Sequence, residues 1–115
     1  MPGAVTVTFL YIDSCPSYAL GLDRLRQAAE RAGVRVRVTE RLVADDAEAR
    51  ALRFPGSPTY LVSGRDAVTP LEGAPIAADA CRAYRQPDGG IGPVPHVDDL
   101  AAALRAAADP SEDRA

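Results

Sequence analysis

The stretch Tyr11-Ile12-Asp13-Ser14-Cys15-Pro16-Ser17-Tyr18 decides how this chain is read. Ahead of it lies Val5-Thr6-Val7-Thr8-Phe9-Leu10, apolar or β-branched throughout, which predicts a strand over residues 4–12. Val5, Val7, Phe9 and Tyr11 fall on one face, and Thr6, Thr8, Leu10 and Ile12 on the other, so a strand covered on both sides is expected. Behind it, Tyr18, Leu22, Leu25, Ala29 and Ala32 recur at helical spacing and predict a helix through Ala32, stopped by Gly33. Asp13 or Ser14 is the expected cap, and Pro16 suits a first turn where no N–H donor is required. A cysteine at a strand-to-helix turn faces the positive end of the helix, a setting that favours the thiolate and hence a nucleophile.

Beyond Gly33, Val34-Arg35-Val36-Arg37-Val38-Thr39 alternates strictly, predicting an edge strand with valines inward and arginines outward. Joined to the first strand through a helix, it makes a β-α-β unit with a parallel pair. Asp45 and Asp46 open a short helix through about Arg53, and Phe54-Pro55-Gly56 ends it. Thr59 to Ser63 reads as a third strand and Gly64-Arg65 as a turn, with Ala67-Val68-Thr69 returning as a short antiparallel strand. Residues 70–95 carry five prolines and four glycines, predicting a long irregular connection with one helical turn near Ala77–Tyr84. Val97, Leu100, Ala101 and Leu104 share a side of a last helix ending at Ala108, with Asp98 and Asp99 at its positive end. Residues 109–115 are expected to fray, leaving one domain over residues 1–108.

The predicted order is β-α-β-α-β-β-α, an α/β fold with a four-stranded mixed sheet flanked by helices. A Cys15-Pro16 turn at the start of a helix, followed later by a strand opened by Ser57-Pro58, resembles the thioredoxin-like superfamily, in particular its glutaredoxin-type Cys-Pro-x-x variants. The resemblance covers roughly residues 4–108 and implies a cis bond at Ser57–Pro58, lying against the attacking cysteine. It also implies that the Ser57 backbone is open to pair with an extended substrate. Where that family carries a second, resolving cysteine, this chain has Tyr18, so a dithiol cycle inside the motif is excluded. What the resemblance leaves is monothiol exchange, in which Cys15 forms and releases a mixed disulfide with a low-molecular-weight thiol or a protein. Cys15 and Cys81 are the candidate catalytic residues. Pro16, Tyr18, Ser57, Pro58, Thr59 and Arg82 are the candidate substrate-binding ones, with Arg82 a partner for a ligand carboxylate.

Several residues have two readings. Cys81 is either a distant resolving thiol or an inert one, because loop closure over a long separation is cheap but bridging geometry is strict. Asp13 is either a cap or a proton shuttle, and Tyr18 either packs on the sheet or covers the thiol. His96 reads as a helix-end residue. Two other functions compete with thiol–disulfide exchange: a catalytically degenerate binding module, and soft-metal or organomercurial handling by Cys15 and Cys81 in the manner of alkylmercury lyase.

Composition narrows the classes. A net charge of −3 over 115 residues, with no basic face, gives no footprint for nucleic acid. No apolar run is long enough to span a bilayer, and no leader pattern opens the sequence, so a cytoplasmic location is expected. Two cysteines do not make a disulfide framework, and Cys15, Cys81 and His96 lack ligand-pair spacing, so neither a metal nor an organic cofactor is expected.

Overall fold

A computed structural model describes residues 4–74 and 76–108. The expected tail at 109–115 lies outside the described residues. β1 (Val5–Tyr11) occupies the middle of a four-stranded sheet with order β2-β1-β3-β4. β2 (Val36–Leu42) runs parallel to β1, while β3 (Thr59–Val62) pairs antiparallel with β1 and β4 (Arg65–Asp66) antiparallel with β3. The protein is thus α/β with a mixed sheet and three helices, α1 (Tyr18–Ala32), α2 (Asp46–Leu52) and α3 (Val97–Ala108).

Strand alternation divides the interior in two. Val5, Val7 and Phe9 of β1, with Tyr60 and Val62 of β3, face a core completed by Leu25 and Ala28 of α1 and by Leu100, Ala101 and Leu104 of α3. Leu10, Ile12 and Leu61 point the other way, into a smaller cluster with Val43, Ala49 of α2 and Phe54. Two helices therefore cover one face of the sheet, and the short α2 covers part of the other. Thr6 is exposed where that cover ends. The Asp45 side chain accepts from the Glu48 N–H at 2.8 Å, and Glu48 in turn accepts from the Ala44 N–H at 2.9 Å, so α2 starts with reciprocal capping. His96 ends the approach to α3, its Nδ1 accepting from the Asp98 N–H at 3.1 Å.

Three expectations change. Val34 and Val36 pack half-buried on the core with Arg35 and Arg37 exposed, as expected, but Val38 and the rest of β2 are exposed, so the inward row of valines is covered only at its start. β2 lies alongside α1, and an open groove of about 570 Å³ runs between them, lined among others by Leu22, Ala29, Val34, Val36 and Val38. The return strand comes earlier than expected, at Arg65–Asp66, because Ser63 and Gly64 both take positive φ (51° and 86°) and form a two-residue turn. Ala67 extends this pairing with a 2.8 Å bond from its N–H to the Tyr60 carbonyl. The 77–84 stretch holds no helix: one turn, closed by the Ala80 N–H donating to the Ala77 carbonyl at 3.3 Å, leads into a segment where Cys81 bridges to Ser57, and β5 (Tyr84–Arg85) pairs with β6 (Ile91–Gly92). The element order is therefore β-α-β-α-β-β-β-β-α. Among the described residues, no helix is long and apolar enough to cross a membrane.

Candidate functional site

Cys15 is half-buried in the turn that joins β1 to α1. Its N–H donates to the Ile12 carbonyl at 3.1 Å, and its own carbonyl accepts from the Tyr18 N–H at 3.4 Å. The helix begins three residues later than the cysteine, with Ser17 at the cap position and no side chain capping it. Neither Asp13 nor Ser14 serves as the cap; both are exposed in the turn. No acidic residue occupies the first turn of α1, so no side-chain carboxylate there offsets the positive end of the helix beside Cys15.

The Cys15 turn is tied to the segment before β3. The Ile12 N–H donates to Ser57 Oγ at 3.2 Å, with both groups buried. The next bond, Ser57–Pro58, is cis. Pro58 lies against α1: a Cβ on Gly21 would stand 3.1 Å from Pro58 Cγ and 3.0 Å from the Phe9 ring. The Pro58 carbonyl accepts from the Tyr84 hydroxyl at 2.6 Å, and the Gly21 carbonyl accepts from the Tyr60 hydroxyl at 2.7 Å. Burial pushes both phenols well above the usual tyrosine range; in Tyr60 the nearby Cys15 charge adds to it. Ser57 is thus tied to the β1–α1 turn and Pro58 to α1, while Thr59 turns inward and its hydroxyl donates to the Gly56 carbonyl at 2.6 Å.

Tyr18 packs on the sheet. Its ring lies 4.9 Å from that of Tyr11 and 5.9 Å from that of Phe9, centroid to centroid. Its hydroxyl donates to the Glu40 carboxylate on β2, and this bond is the main cause of a raised phenol pKa. Pro16 follows the cysteine in the turn and is exposed.

The Ser57 backbone is not open, as the resemblance implies it should be. Its N–H donates to the Ala80 carbonyl at 2.9 Å, and its carbonyl accepts from the Arg82 N–H at 3.0 Å. Both groups are taken by the chain itself, in a parallel bridge that sets Cys81 opposite Ser57. Arg82 is likewise committed inside the protein. It is 5% exposed, and its guanidinium reaches Asp66 at 2.9 Å, Thr59 Oγ1 at 3.1 Å and the Val68 carbonyl at 2.7 Å, above the ring of Tyr84. A protein carboxylate occupies the place expected for a ligand's, which makes Arg82 an anchor of the 80–82 segment. Cys81, between these bonds, is exposed.

Sequence reasoning passed over Asp66, Tyr84 and Gly56. Gly56 takes φ of 133°, and a Cβ there would fall 2.7 Å from the Arg82 nitrogen. Phe54-Pro55-Gly56 was legible only as a helix stop; the close approach of a segment 26 positions away leaves no local mark. Among the described residues, no three metal-ligating side chains gather. Comparison of the chain with models of protein families, with characterised proteins and with solved structures found no match.

Proposed function

We propose that this is a thioredoxin-like protein that carries out thiol–disulfide exchange on low-molecular-weight disulfides or mixed disulfides through Cys15. The observation that carries the reading is the setting of that sulfur: a half-buried cysteine in the β1–α1 turn, beside an uncapped helix start and tied through Ile12 to Ser57–Pro58. The sheet order β2-β1-β3-β4, with its single parallel pair, supports the thioredoxin-like assignment. In the exchange, the Cys15 thiolate attacks one sulfur of R–S–S–R′, forms Cys15–S–S–R and expels R′S⁻. A second small thiolate then attacks the R sulfur and releases Cys15 as thiolate, so no net electrons remain on the protein.

A second reading, a binding domain without turnover, draws support from the Ser57 backbone being filled by residues 80–82. A coupled assay with a small mixed disulfide and glutathione separates the two. Exchange by Cys15 requires turnover that falls at least about 100-fold in Cys15→Ser, as for removal of a catalytic nucleophile. Equal, background-level rates in both proteins would leave the binding domain.

A further inference from the structure

We propose that Cys15 and Cys81 form a two-thiol centre, in which residues 80–82 are a built-in partner strand that presents Cys81 to the mixed disulfide formed on Cys15. The inference rests on the exchange reading above and extends it: the resolving sulfur absent from the Cys15 turn comes from a strand far along the chain.

The backbone supplies the first argument. Residues opposite each other on a β-ladder send their side chains to the same side. Cys81 stands opposite Ser57, and the Ser57 side chain points to the Cys15 turn, where its Oγ accepts from the Ile12 N–H. The carbonyl of that same Ile12 accepts from the Cys15 N–H. Cys81 therefore leaves the bridge on the side of the attacking cysteine.

The anchoring of the segment supplies the second. On one side of Cys81, the Ala78 N–H donates to the Asp46 carboxylate at 2.9 Å, and Ala78 packs in the same small cluster as Cys15. On the other, Arg82 is buried in its ion pair with Asp66, and its backbone presses on Gly56. Between these two fixed points the chain is held to Ser57, itself bonded to Ile12 at the start of the Cys15 turn, and Cys81 is exposed there as a free thiol.

The chemistry closes without a further oxidant. Cys15 thiolate attacks a small disulfide R–S–S–R, giving Cys15–S–S–R and RS⁻. Cys81 thiolate then attacks the Cys15 sulfur, forming Cys15–S–S–Cys81 and releasing the second RS⁻. The two protein thiols lose two electrons and the small disulfide gains them; two further small thiols reverse the cycle. Because an extended peptide cannot pair with Ser57 without displacing residues 80–82, the partner is a small disulfide rather than a peptide chain laid along the sheet.

The test treats the reduced protein and Cys81→Ser with excess oxidised glutathione and follows both by intact mass and non-reducing peptide mapping. Wild type should lose two hydrogens and yield a Cys15–Cys81 linked peptide, its glutathione adduct decaying at least about tenfold faster than that of the variant, which should keep the adduct on Cys15. A wild-type adduct as long-lived as the variant's, with no linked peptide, overturns the two-thiol centre and leaves exchange at Cys15 standing. Absence of any adduct on Cys15 in either protein, with no linked peptide, overturns both.

Discussion

Arg82 shows how a side chain's partners decide its role. From sequence it is a cation next to a thiol, a candidate partner for a ligand carboxylate; in the structure it is nearly inaccessible and paired with Asp66 of β4. A buried arginine deprived of its carboxylate keeps the cost of desolvation and loses the compensation. Asp66→Ala is therefore expected to destabilise the fold by about 3 kcal/mol in urea unfolding, much more than loss of an exposed pair such as Arg26–Asp23. A Cys15 site was legible in the sequence because strand, turn and helix are contiguous. The Arg82 anchor was not, because nothing around Asp66 or Arg82 reports that the two meet.

Among the elements, length decided what could be read. β1 and α1 carry enough alternation and helical periodicity to identify themselves, and Asp45 marks the start of α2. β4, β5 and β6 have two residues each, too few for a period to form, so periodicity does not mark them. The alternating valines of 34–38 predict a half-covered strand, and Val34 and Val36 do pack on the core, yet neighbouring elements leave the rest of β2 exposed. The 80–82 strand depends on Gly56, whose backbone conformation and lack of a side chain let Arg82 approach. Gly56→Ala should cost about 1–3 kcal/mol through strain. Hydrogen exchange would show the loss as faster exchange of the Ser57 and Arg82 amides, while those of Val7 and Phe9 in β1 stay protected.

Across the whole molecule, Tyr60 and Tyr84 join α1, β3 and β5 through buried hydroxyls, and the fold needs both of them protonated. Their folded values lie far above the unfolded value near 10, so the stability they lend is complete below pH 10 and declines as pH rises above it. Each should remove about 1.4 kcal/mol per pH unit in that range, and tyrosinate absorbance from both should appear only with unfolding. The thiol site belongs to this same scaffold, and its reactivity can be set against exposure within one chain. The most direct measurement is competitive alkylation of the fully reduced protein at neutral pH, with Cys15 and Cys81 quantified separately by mass spectrometry. Exposure alone favours Cys81, which is open to solvent where Cys15 is half-buried. The assignment of Cys15 as the nucleophile predicts the reverse, with Cys15 labelled several-fold faster. Labelling in the order of exposure, Cys81 ahead of a slow Cys15, would contradict the assignment of Cys15 as the nucleophile.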